Sequence, residues 1–160
     1  MGKKISIFEK ARLRPSQIRT VAERRYGDAR CLHRSGDNER ANGAMYLGGL
    51  VLECLLKAKL LEYSPWLQSA GHADVGPEHE RHLWALCYRS HDLEDILAEL
   101  PSVIERVRLL EQRGHPHLAQ SLQTICARWT IFARYSPRMA KMAEAEEFLD
   151  RIGELKEWLK

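Results

Sequence analysis

The chain has 160 residues, is 44% hydrophobic and carries a formal net charge of +3 at pH 7, which is enough apolar material for one core and argues for a single soluble domain. The opening MGKKISIFEKARLRP lacks a continuous apolar segment followed by a small-residue cleavage site, so no signal peptide is expected; the uncharged run from Ala41 to Leu52 is shorter than the ~20 residues of a membrane span. The modest total hides an asymmetry: residues 1–34 hold ten Lys or Arg against three acids, so a basic stretch that attracts RNA, DNA or an acidic protein leads a net acidic remainder.

Residues 1–14 read as a loosely held basic arm, and 15–160 as the folded domain. Pro15 and Ser16 open a helix running to about His33, with Ile18, Val21, Ala22, Tyr26, Ala29 and Leu32 forming one apolar stripe. Ser35-Gly36-Asp37-Asn38 closes it with turn residues. The 22 residues ANGAMYLGGLVLECLLKAKLLE, Ala41 to Glu62, follow as a helix apolar around nearly its whole circumference, the pattern of a central core helix. Ser64, Pro65, Gly71, Gly76 and Pro77 mark a loop from Tyr63 to His79. Leu83 to Tyr88 is a short helical turn, and Ser90-His91-Asp92-Leu93 starts another helix that Pro101 ends. Ser102 with Glu105 has the form of a capping box for the next helix, which Gly114-His115-Pro116 breaks. A strong helix is expected from Leu118 to Tyr135, stopped by Ser136-Pro137, and a last amphipathic one from about Arg138 to Leu159. No alternating strand pattern occurs, so the class is all-α: an antiparallel helical bundle of four main helices with short additional ones.

Chemistry-bearing residues stand out at a few places. Glu53 and Lys57, an i,i+4 pair, interrupt the apolar helix; they form either a structural ion pair or a polar site in a cleft. His72, Asp74, His79 and His82 can be drawn as a metal site, yet HExxH spacing is absent and no cysteine is near, so they read as loop residues and no metal or cofactor is expected. Cys31, Cys54, Cys87 and Cys126 are widely spaced and read as reduced core thiols of a cytoplasmic protein.

Three patches together resemble one family. They are Arg25-Tyr26-Gly27-Asp28-Ala29-Arg30 with the central GAMYLGGLVLECLLKAKL, then Ser90-His91-Asp92-Leu93, then Arg134-Tyr135-Ser136-Pro137 ahead of an acidic amphipathic helix. The pattern is similar to R-x-x-DA, YLAG-x-x-x-E-x-x-LKA, HDL and RY-S/T-P of the HEPN domain, the higher eukaryotes and prokaryotes nucleotide-binding helical bundle, and covers the chain from about residue 20 onward. The resemblance implies a helical bundle, usually dimeric, that binds RNA or nucleotide, cleaves RNA, or pairs with a nucleotidyltransferase in a toxin-antitoxin or defence system. Active members cut RNA without metal through R-x4-6-H, the cation holding phosphate and the imidazole moving protons. The window after Arg134 holds Met139, Ala140 and Lys141 instead of that histidine, so a non-catalytic binding module is expected, with a metal-independent ribonuclease toxin as the alternative. Arg108 and His115 alone fit the spacing, His115 lying in a Gly-His-Pro break. The candidate binding residues are Glu53, Lys57, His91, Asp92, Trp129, Arg134 and Tyr135, with Arg134 holding phosphate or Glu53 and an aromatic stacking on a base. A single site requires Glu53, Lys57, His91 and Arg134 to converge on one cleft.

Overall fold

The computed structural model describes residues 12–71, 75–115 and 117–160, and the basic arm at 1–14 therefore lies mostly outside the described residues. Among the described residues every regular element is helical: α1 (Pro15–Arg34), α2 (Ala41–Tyr63), α3 (Glu78–Tyr88), α4 (Leu93–Ala98), α5 (Pro101–Gln112), α6 (Leu118–Arg128) and α7 (Met142–Leu159), with short 3-10 turns at Asn38–Arg40, Pro65–Gln68 and Ile131–Tyr135. No helix among them is long and apolar enough to cross a membrane.

The central helix is α2, as its all-round apolar surface dictates. Leu52, Leu55, Leu56, Leu60 and Leu61 on it are fully buried. The direction of its neighbours follows from who touches whom. Arg19, near the start of α1, pairs with Glu62 at the end of α2 at 2.5 Å, so these two run antiparallel. Asn42 at the start of α2 bonds the residues just before α7, and Lys59 near its end reaches the Lys160 carbonyl at 3.5 Å, so α2 and α7 run parallel. Arg30 with Asp150, and Lys156 with Glu23, then tie α7 antiparallel to α1. Helices α3 to α6 return the chain across the remaining side of α2. Lys156 is only 7% exposed, and its pairing holds the Glu23 carboxyl below the ordinary carboxylate range.

Two glycines on α2 set how closely α7 and the segment after α6 approach. A methyl added at Gly48 would stand 2.9 Å from Leu149 and Phe148 of α7, and one at Gly49 would fall inside the Trp129 indole. Glycine there admits the neighbour to the helix backbone.

Several expected boundaries move. The helix expected over Leu118–Tyr135 stops at Arg128: Trp129 turns to extended backbone (φ −73°, ψ 134°), Thr130 follows, and a 3-10 turn carries Ile131–Tyr135. Burial of the indole on Gly49 drives the change, because Trp129 is 8% exposed whereas Phe132 and Tyr135, expected on the same apolar face, are about 70% and 67% exposed. The capping box at Ser102 does not form. Helix α5 begins with Pro101 in its first turn, no side chain caps it, and Glu105 pairs outward with Arg108. Helix α3 begins at Glu78, inside the stretch read as loop.

Of the four cysteines, Cys87 and Cys126 are buried and Cys54 is partly so, but Cys31 is exposed on α1, which corrects its reading as a core thiol. Burial pushes the Cys54 and Cys87 thiols up to about 11 and that of Cys126 to about 12. The native protein is therefore expected to present one fast-reacting thiol to a colorimetric disulfide reagent at pH 8, and four once unfolded in guanidinium. Cys31→Ser should abolish the fast phase, and two or more fast native thiols would contradict this burial.

Candidate functional site

The predicted site residues fall into two separate places. The first is a buried cluster at the lower half of α2. Glu53 and Lys57 are 6% and 7% exposed, and the Lys57 ammonium donates to Glu53 Oε1 at 2.8 Å and to the Ser90 carbonyl at 2.7 Å. His91 Nδ1 of a half-exposed ring lies 3.0 Å from both Glu53 oxygens; a carboxylate only accepts, so this nitrogen is the donor. Asp92 next to it accepts from the Glu94 and Asp95 amides, the capping of α4 that its sequence position dictates. The cluster fastens the turn before α4 to the central helix. Each charge in it has a partner, which is the condition for burying them at all.

Arg134 is not part of this cluster. Its guanidinium sits 6.0 Å from the Tyr46 ring centroid and 4.7 Å from that of Tyr135, and Tyr46 lies seven residues before Glu53, about 10 Å further up the helix. The expected single cleft is thus two places, divided because the helix expected through Arg134 ends at Arg128 and the following turn folds back over the N-terminal half of α2.

The second place is there. An open groove of about 1100 Å³ runs between α6 and the start of α7. Gln120, Ser121, Thr124 and Arg128 line one wall at helical spacing, Glu144, Glu147 and Arg151 the other, and Met45, Ile125, Trp129 and Phe148 lie between. The segment 130–140 closes its end. Asn42 pins that segment, its side chain donating to the Arg138 carbonyl at 2.5 Å and accepting from the Ala140 amide at 2.7 Å. Trp129 stacks on Tyr46 with centroids 6.1 Å apart, and its buried Nε1 has no acceptor among the described residues, the consequence of seating the ring on a helix backbone whose carbonyls are already used.

Two features of this groove escaped the sequence reading. From Gln112 to Ala143 the chain runs 32 residues without Asp or Glu, a signal that counting acids along the sequence would have found. Most of the groove comes from this run. The structural counterpart is that Arg128, Arg134, Arg138 and Lys141 have no ion pair among the described residues, as is also true of Arg12, Arg14, Arg24, Arg34, Arg81, Arg89, Arg106 and Arg113; what sets this segment apart is that no acid lies within it. Phe132, Tyr135 and Met139 stand exposed between its cations. Fields from four unpaired cations within 14 residues add, and exposed rings interleaved with them offer stacking faces.

Arg108 and His115 do not form a pair. Arg108 bonds Glu105 at the surface, while the His115 ring meets Trp158 edge-on at 4.8 Å. Trp158 packs beside Val103, Val107 and Leu110, and Arg108 projects about 140° around α5 from Val103. His82 lies 3.5 Å from Glu99 and His79 is exposed, while His72 and Asp74 lie outside the described residues.

The described residues thus form an all-α helical bundle carrying an open groove lined by Arg128, Arg138 and Arg151, by Glu144 and Glu147, and by Trp129, Phe132 and Phe148. No family model, curated protein or solved structure matches the chain.

Proposed function

We propose that this protein is a HEPN-like, non-catalytic cytoplasmic module that binds single-stranded RNA or nucleotide through the groove between α6 and α7. It works as a homodimer, and its operon partner is a nucleotidyltransferase of a toxin-antitoxin or defence pair. One observation carries the RNA-binding reading: the acid-free run folds so that Arg128 and Arg138 line the groove without an ion pair beside exposed Phe132, with Arg134 next to them over the rings of Tyr46 and exposed Tyr135. Backbone phosphates are held by such guanidiniums, and unstacked bases by such rings. Trp129 acts beneath them as the support of the rim, and Glu53, Lys57, His91 and Asp92 as the structural fastening of α4. The ribonuclease alternative drew on Arg108 with His115, and the separation of those two side chains on α5 and Trp158 speaks against it.

A fluorescence-anisotropy titration of a labelled ten-nucleotide single strand tests the reading. Binding is expected to weaken linearly in log affinity against log salt, and each of Arg134→Ala and Arg138→Ala is expected to reduce that slope by about 0.7, the counterion release of one phosphate on a single strand. Tyr135→Ala is expected to cost about 1–3 kcal/mol with the slope retained. Absence of binding at 50 mM salt and 100 µM protein would refute it.

A further inference from the structure

The segment between α6 and α7 is seated along one stripe of the central helix. Trp129 occupies the space that Gly49 leaves and stacks on Tyr46, Arg134 lies 6.0 Å over the Tyr46 ring, and Arg138 and Ala140 bond Asn42. Positions 42, 46 and 49 share a face of α2, so the segment runs back along that face from its buried start at Trp129. Beyond Trp129 the hold is slight. From Thr130 to Ala140 no residue is buried; Ile131, Ala133 and Ala140 are half-buried and the others exposed. Several of its hydrogen bonds stay within it: the Ala133 amide donates to the Thr130 carbonyl, Ser136 to that of Ala133 and Arg138 to the Ser136 hydroxyl. Among the described residues, only two hydrogen bonds join 130–140 to another part of the fold, and one side chain makes both. The Asn42 amide donates to the Arg138 carbonyl at 2.5 Å and accepts from the Ala140 N–H at 2.7 Å. A segment with no buried side chain and one such anchor is where a fold opens first, because opening exposes little apolar surface and costs two hydrogen bonds.

We infer that residues 130–140 are a strap swinging between the seated Trp129 and the start of α7, that the Asn42 side chain is its latch, and that the groove binds in the latched form. Arg138 carries the last step. It lines the groove on a backbone whose carbonyl Asn42 holds, and Phe132 and Ser136 line it from the same strap. When the latch lets go, these three leave the wall together, while Arg128 stays with α6. Asn42 is thus a positioning residue that acts through Arg138. The link to a ligand rests on the RNA-binding reading above; the strap and its latch do not.

Limited trypsin digestion, with the cuts assigned by mass spectrometry, tests the latch without any ligand. In Asn42→Ala the cuts after Arg134 and Arg138 are expected to speed up about tenfold, the effect of losing the anchoring hydrogen bonds on a local opening equilibrium, while those after Arg24 on α1 and Arg106 on α5 keep their rates. Asn42→Asp keeps the acceptor for Ala140 and loses the donor to Arg138, so its strap is expected to be cut at an intermediate rate. Unchanged cutting at the strap overturns the latch, and so does equal acceleration at all four sites, since Asn42 would then support the fold as a whole. A labelled eight-uridine strand tests the link to binding. Asn42→Ala is expected to bind it about threefold weaker with the salt slope of the parent, because fewer molecules are latched but each one that binds makes the same phosphate contacts; Arg138→Ala lowers the slope itself. Faster cutting with undiminished affinity overturns binding by the latched form. Failure of the parent to bind any strand overturns the RNA reading, and with it that link, and leaves the strap to stand or fall by the trypsin result.

Discussion

Glu53→Ala is expected to lower the unfolding free energy by about 3–5 kcal/mol, read as a shift of the urea midpoint at unchanged m-value. The size follows from what is left behind. Lys57 is 7% exposed and keeps only the Ser90 carbonyl when the carboxylate goes, so an ammonium sits under α4 with no counter-charge. Most domains of this size are stable by only about 5–15 kcal/mol, so the variant approaches the threshold of folding. The paired change Glu53→Leu/Lys57→Met is expected to restore stability to within about 1 kcal/mol of the parent, or to exceed it, because both desolvation costs vanish together. His91→Ala should cost about 1 kcal/mol, since the ring is half-exposed and Glu53 keeps Lys57. If Glu53→Ala loses less than 0.5 kcal/mol, on the order of an ordinary surface change, the cluster is not buried as described.

That cluster shows what the sequence disclosed and where it stopped. An i,i+4 Glu-Lys pair inside an apolar helix must either be buried with partners or face a cleft, and periodicity cannot choose between these because it places side chains on a face without saying what covers that face. The Ser90 carbonyl and the His91 ring make the choice, and both come from 33 or more residues away. Helix α2 was legible almost to the residue, expected over 41–62 and found over 41–63, because an all-round apolar helix needs no partner to be recognised. The stretch 118–135 failed for the opposite reason. Its apolar residues keep helical spacing to Tyr135, and only the tertiary contact of Trp129 with Gly49 interrupts them, exposing Phe132 and Tyr135. Tyr135 is among the residues the sequence singles out for stacking on a base, but the groove itself was invisible to a reading that ran one helix through Tyr135, although the missing acids between Gln112 and Ala143 were plain in the sequence.

Gly49→Ala tests that contact. Alanine is the better helix former by about 1 kcal/mol, so in an uncrowded helix the change stabilises; Gly27 on α1, where an added methyl meets nothing within 4 Å, should show that gain. At Gly49 the methyl falls inside the indole of Trp129, and either the ring leaves or α2 moves. The expected net loss is about 2–3 kcal/mol, the overpacking cost less the propensity gain, with tryptophan emission shifted to the red as the indole becomes wet. Gly48→Ala should cost less, because the atoms it meets at 2.9 Å belong to the side chains of Leu149 and Phe148, which can turn aside. Trp129→Ala alone should lose about 3–5 kcal/mol by emptying the site. The combination decides the mechanism: if the glycine is there to admit the indole, Gly49→Ala/Trp129→Ala loses less than the sum of the single losses by at least 1 kcal/mol, on the scale of couplings between residues in contact, whereas additive losses would mean that Gly49 acts on the helix alone. On the RNA-binding reading proposed above, Gly49→Ala should also weaken single-strand binding without touching any residue of the rim, because Trp129 leads directly into the 131–135 turn; the packing of the central helix and the shape of the groove are then one variable.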